Sequence, residues 1–174
     1  MKRAALFACL FALTTPAFAE APSATGGPIT SQAERDRTAA RVTGGASCAG
    51  CDLFQINLAY QSVAGRDFSG ARVRQADFSL ATADHAHFQG ANLSLTNFFG
   101  ARLSGADLRE ANLEGANFVG AYLGGARFEG AALAGANFSG AELELARGLR
   151  QVQLNTACGD ATTTLPQGFT IPTC

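Results

Sequence analysis

An all-β solenoid is the fold class this sequence predicts, and three observations carry it. From Leu53 to Leu143 every fifth residue is Leu, Val or Phe, with Ala83 the one exception. Two positions before each of these centres, from residue 71 to residue 141, stands Ala, with Thr96 the one exception. A period of five matches neither a helix, whose apolar face recurs near 3.6 residues, nor a strand, whose face recurs at 2. Stacked short repeats that bury one large and one small side chain each, in a narrow tube, satisfy the pattern. The three remaining positions face water. The residue before the centre is often Asn or Asp, whose side chain hydrogen-bonds backbone in turns. Gly often stands two after the centre, where a turn needs unusual dihedrals.

The run Ala106-Asp107-Leu108-Arg109-Glu110, Ala111-Asn112-Leu113-Glu114-Gly115, Ala116-Asn117-Phe118-Val119-Gly120 resembles the Ala-(Asp/Asn)-Leu-x-x pattern of the pentapeptide-repeat family, and the likeness extends over roughly ninety residues. The resemblance implies a right-handed quadrilateral parallel β-helix with four pentapeptides per coil. Residues 20 apart then share a wall. One wall stacks Leu58, Phe78, Phe98, Phe118 and Phe138, and the opposite wall Phe68, Phe88, Leu108 and Phe128. Aliphatic columns from Leu53 and from Val63 fill the walls between, which suits a densely packed square tube. Ala83 is the underfilled centre, where a small void or local irregularity is expected. About five coils at about 4.8 Å spacing make a rod about 24 Å long.

In chain order, residues 1–19 read as a secretory signal: Lys2 and Arg3, an apolar run through Leu13, and Ala17-Phe18-Ala19 before Glu20. The run is too short to span a membrane. Reading Leu6-Phe7-Ala8-Cys9 as a lipoprotein site is the alternative, but it leaves a short signal and places bulky Phe7 where a small residue belongs. Cleavage near Ala19 puts the mature chain in the periplasm or outside the cell, with eleven arginines against fourteen acidic residues and no lysine.

Residues 20–47 form a Pro- and Gly-rich linker followed by a capping helix. Ser31-Gln32-Ala33-Glu34 has the form of a capping box, and Gly44 and Gly45 end the helix after about Val42. Residues 48–143 are the repeat and residues 144–174 the C-terminal cap. In that cap Leu145, Leu149, Val152 and Leu154 support a short helix covering the open end of the last coil.

Cys48-Ala49-Gly50-Cys51 has the spacing of redox and metal motifs. Extending the register backwards turns both cysteines into the tube. The sequence Cys48, Cys51, Asp52, Leu53 is similar to the start of the first coil in many family members, which implies structural thiols or a local disulfide. A labile redox pair is the alternative, and a zinc site lacks further ligands. The tail from Ala157 to Cys174 resembles the ending of many exported members, and the likeness implies a Cys158–Cys174 disulfide, which stabilises by about 3 kcal/mol for such a loop.

No nucleophile, base and orienting group stand together, and no phosphate loop or cofactor fingerprint is present, so a noncatalytic protein without cofactor or metal is expected. The outward ladder Asp67, His87, Asp107 and Arg127, with Arg109 over Glu129 and with Asp84 and His85 nearby, is a solvated face of weak ion pairs. A metal site or proton relay there would lack a pocket. No basic stripe offers itself to nucleic acid. Leu80, Phe99 and Val119 form the outward apolar patch at which a partner, or a second copy in a homodimer, is expected.

The function predicted is an exported repeat scaffold binding a protein or envelope component. One alternative follows the resemblance to quinolone-resistance pentapeptide proteins, which implies binding of a type II topoisomerase by DNA mimicry. Export and mixed charge count against it. The other alternative is a thiol redox module using Cys48 and Cys51.

Overall fold

The computed structural model describes residues 31–174. Residues 1–19, read above as a secretory signal, and the linker read over residues 20–30 lie outside them. Helix α1, Gln32–Thr43, is opened by a reciprocal cap: the Glu34 N–H donates to Ser31 Oγ at 3.2 Å and the Ser31 N–H donates to the Glu34 carboxylate at 3.1 Å. It closes where the Gly44 N–H reaches the Ala40 carbonyl. The helix is polar, and Val42 is its one buried residue.

From Cys48 onward the chain winds in coils of four five-residue sides. The residue before each centre bridges in parallel to the residue twenty further on, as in Asp52 to Arg72, Asn57 to Asp77, Ser62 to Thr82 and Asp67 to His87. The centre's N–H donates one coil forward (Leu53 to the Arg72 carbonyl, 2.7 Å), and the bridging residue's N–H donates one coil back (Arg72 to the Cys51 carbonyl, 2.9 Å). Each side ends in a turn closed from the small inward residue to the centre, as from Ile56 to Leu53 at 3.1 Å. Turns this close together leave the bridges isolated, so among the described residues no extended strands form.

The third residue of each turn takes positive φ. Glycine meets this freely, yet Gln55, Tyr60, Gln75, Leu80, His85, Leu95 and Glu110 hold the same left-handed conformation. The Asn or Asp before the centre supports the turn. Its Oδ1 accepts the N–H two residues on, for example from Ala59 to Asn57 and from Ser79 to Asp77, both at 2.9 Å.

The core is the inside of the tube. Every centre and nearly every alanine position from Leu53 to Leu143 is buried. Rings stack along each aromatic wall, Phe68 on Phe88 at 4.9 Å and Phe98 on Phe118 at 5.1 Å between centroids. They also meet edge to face across the tube, Phe68 against Phe78 at 6.0 Å. Thr96 is tolerated among the alanines because its Oγ1 donates to the Val73 carbonyl at 2.8 Å. At Ala83 the backbone shows no irregularity: Val63 and Ala83 donate forward at 2.8 and 2.7 Å like their neighbours.

The coil does not stop at Leu143. Arg127 still bridges to Arg147, and a looser turn of the coil follows in which Asn137 bridges to Cys158 and Glu142 to Thr164. One-residue insertions at its corners shift the register, so that Leu154 follows Leu133 and Leu165 follows Leu143 in their columns. Helix α2 is a single turn, Gln151–Leu154. Leu149 and Leu154 are buried in this last coil, whereas Leu145 and Val152 are exposed and cover nothing. Polar groups do the rest of the sealing. Gln153 Nε2 donates to the carbonyls of Phe128 and Ala131, Thr163 Oγ1 donates to that of Phe138, and the chain end lies along Gly159.

Candidate interaction surface

Leu80, Phe99 and Val119 share one corner of the tube, the turn that follows the Leu58–Phe138 column. Leu80 and Phe99 are about half exposed and Val119 less so. Adjacent coils hold them side by side, since the Leu80 N–H donates to the Phe99 carbonyl at 2.8 Å. The structure adds Tyr60, one coil earlier at the same corner and 76% exposed. The sequence signal for it is that Tyr60 and Leu80 stand at equivalent turn positions, both with positive φ.

The wall beside this line is an amide ladder. Asn97 and Asn117 accept the N–H groups of Phe99 and Val119, each at 3.1 Å. Asn117 Nδ2 donates to Asn97 Oδ1 at 3.0 Å and Asn97 Nδ2 to Asp77 Oδ1 at 3.1 Å. Both apolar residues are thus displayed from turns braced at the side chain and at the backbone. Leu95 occupies a different corner, in a shallow groove with Arg74 and Glu114. Tyr122 lies on another wall.

The charged ladder is built from Asp67, His87, Asp107 and Arg127, which bridge in sequence. Hydrogen bonding from Ser69 holds the Asp67 carboxyl below its ordinary range, and the Arg109 guanidinium does the same for Asp107. Arg109 stands over Glu129 by register but bonds within its own coil, Nε to Asp107 Oδ1 at 2.7 Å, while Glu129 pairs with Arg127 at 3.4 Å. Asp84 pairs with Arg102 at 2.8 Å, and His85 lies against Gly105. Among the described residues no three His, Cys, Asp or Glu side chains converge as metal ligands would.

Cys48 is 3% exposed and heads the Phe68 column, disulfide-bonded to the partly buried Cys51 with Cα atoms 5.1 Å apart. Cys158 and Cys174 are likewise joined, at 4.8 Å between Cα atoms, which fastens the chain terminus to the last coil. Among the described residues no helix is long and apolar enough to cross a membrane.

The chain matches the family model for pentapeptide repeats in eight copies, at residues 67–98, 76–115, 96–131 and 111–147. No curated protein matches it. Among solved structures it is similar to a pentapeptide repeat protein from the thylakoid lumen of Arabidopsis thaliana, with 29% identity over 80% of this chain and 90% of that one and a TM-score of 0.37. Rfr23 from the cyanobacterium Cyanothece 51142 is 25% identical over 75% of this chain and 98% of its own, with a TM-score of 0.32. QnrB1, a plasmid-mediated fluoroquinolone resistance protein, is 21% identical over 71% of this chain and 78% of its own, with a TM-score of 0.31.

Proposed function

Because the chain belongs to the pentapeptide-repeat family, we propose that it is an exported, noncatalytic scaffold whose side wall binds a protein partner or a component of the cell envelope. Membership implies that the four-sided coil winds right-handed. The observation that carries the reading is the apolar line Tyr60, Leu80, Phe99 and Val119, displayed from a frame bonded coil to coil. Holding Tyr60 and Leu80 in the left-handed region costs roughly 1–2 kcal/mol each where glycine would cost less. Polar residues such as Gln75 and Glu110 hold the same conformation elsewhere, so it is the apolar, exposed character of Tyr60 and Leu80 that suits a contact made by those side chains.

Export rests on the leader-like segment at residues 1–19 and on two cysteine pairs at bonding distance, which fit an oxidising compartment. The redox alternative has no support in the burial of Cys48.

The test is a crosslinking pull-down from intact envelopes, comparing the protein with a Phe99→Arg, Val119→Glu variant. A specific partner captured by the first and lost by the folded second is the expected result. Equal capture by both would remove the apolar line from the account, and recovery of the protein from the cytoplasm would remove export.

A further inference from the structure

Independently of the apolar line, we infer that the open edge of the first coil binds an extended peptide carrying a basic residue, laid in the groove between that edge and helix α1. Further along the rod each side is bonded on both edges. On the wall of the Leu58 column, Asp77 shows the pattern. Its N–H donates to the Ile56 carbonyl at 2.9 Å, its carbonyl accepts from Leu58 at 2.7 Å, and the Ser79 carbonyl accepts from Tyr60 at 2.9 Å. One coil earlier the equivalent groups are the Asn57 N–H and the carbonyls of Asn57 and Ala59. Among the described residues no backbone group meets them, and only the Gln61 side chain approaches, its Nε2 at 3.5 Å from the Ala59 carbonyl.

The opposite wall shows what fills such an edge. There Cys48 and Gly50 donate to the carbonyls of Asp67 and Ser69, both at 2.8 Å, so the chain entering the coil supplies the missing rung. Along the Asn57 side the described chain supplies none. A groove of about 470 Å³ lies there instead, with Asn57, Ala59 and Gln61 on one bank and Gln32, Asp36 and Thr43 of α1 on the other. A β edge facing a helix across a groove is a frame in which an extended peptide adds as a strand. The unpaired groups themselves define the occupant. They call for two N–H donors on alternate residues and one carbonyl, the offer of another extended backbone.

Asp36 is the one charged residue lining the groove. Its Oδ1 accepts from Gln32 Nε2 at 2.8 Å, and among the described residues it has no cationic partner. A Lys or Arg on the peptide completes it with a charge-assisted bond. The chain's own residues 20–30 contain neither Lys nor Arg, and Pro22 and Pro28 lack the N–H that an added strand must donate. Charge and donors therefore favour a segment of a partner protein over the residues that lead into α1.

Random dodecapeptides displayed on phage, selected against the folded, purified protein, test this. The selected peptides are expected to be enriched in Lys or Arg, to lose roughly tenfold or more in affinity on Asp36→Arg, and to fail against Ala40→Trp, which fills the groove from the helix side. Binding of a synthetic copy should slow hydrogen exchange at the Asn57 amide. N-methylation scanned along that copy should abolish binding at two positions two residues apart, the donors to Asn57 and Ala59, and be tolerated at the residue between them. The Phe99→Arg, Val119→Glu variant should bind the peptides as the parent does.

Failure to select any peptide, selected peptides that bind Ala40→Trp as well as the parent, or N-methylation tolerated throughout overturns the inference. So does an Asn57 amide already protected from exchange in the free protein, since the chain itself would then fill the edge. Loss of the peptides from the Phe99→Arg, Val119→Glu variant would place them on the apolar line and overturn it equally. Peptides that keep to the groove while the envelope pull-down captures nothing leave the edge standing and remove the scaffold reading.

Discussion

The rings of Phe118 and Phe138, twenty residues apart in sequence, lie 4.9 Å between centroids and within 2° of parallel. Phe98 continues the stack on the other side at 5.1 Å. Both faces of the Phe118 ring are therefore covered, and Leu113 and Leu123, the preceding and following centres of the same coil, are buried with it. Replacing Phe118 by Ala opens a void that stiff, bonded coils cannot collapse to fill. A loss of about 3–5 kcal/mol is expected, read as a lower urea midpoint at unchanged slope. A variant as stable as the parent would refute the stacked tube.

The backbone makes the opposite demand at the turns. Glu110 is exposed and holds φ of 58°, between Gly90 and Gly130 at the same corner. Glu110→Gly relieves the left-handed penalty of roughly 1–2 kcal/mol while adding the chain entropy of glycine, up to about 1 kcal/mol, so a gain of about 0.5–1 kcal/mol is expected. Gly90→Val, placing a β-branched residue at the same corner, should lose stability. Thermal melts of the two variants check the pair of signs.

The period of five made the inward columns readable in the sequence, because residues twenty apart have no other way to share a wall. The apolar corner was readable only in part. Leu80, Phe99 and Val119 stood out, but Tyr60 was missed although it stands twenty residues before Leu80 at the same turn position, where the same count by twenties would have found it. The last coil escaped because single-residue insertions move Leu154 and Leu165 off the period, so a count by fives meets Gly148 and stops. Which acid Arg109 takes is a choice among side-chain conformations: Asp107 and Glu129 are both within reach by register, and the bond to Asp107 within the same turn is the one made.

Amide stacking separates two asparagines that look alike in the repeat. Asn112 accepts one bond, from the Glu114 N–H at 3.0 Å, whereas Asn117 accepts one from Val119 and donates another to Asn97. With each net bond contributing about 0.5–1.5 kcal/mol, Asn117→Ala should cost about 1 kcal/mol more than Asn112→Ala. Equal losses in denaturant unfolding would mean that the ladder adds nothing to the turns.

Acid should weaken the fold late. Asp107 is held below its ordinary range chiefly by the Arg109 side chain, and Asp67 chiefly by the Ser69 backbone. Carboxyls that bind protons less readily folded than unfolded contribute stability in full above the unfolded value, near pH 4, and lose it as pH falls through their lower folded values. Stability is therefore expected to fall below about pH 4, and Asp107→Asn should flatten that decline. A urea midpoint unchanged from pH 7 to pH 3 would contradict the coupling.

The C-terminal disulfide should matter more to the end of the rod than its sequence span suggests. Cys158 bridges to Asn137, and Gly159 pairs with the segment that ends in Cys174. The bond therefore ties the terminus across the end of the phenylalanine wall, where Ile171 and Phe169 pack against the core. Cys174→Ser removes a loop constraint of about 3 kcal/mol by the chain-entropy estimate, and it also frees the terminal segment from Gly159. Hydrogen exchange should then quicken first at the last coil, around Phe138 and Leu154, while amides of the second and third coils stay protected. Uniform quickening along the whole rod would show that the coils unfold as one unit and that the terminus is no separate seal.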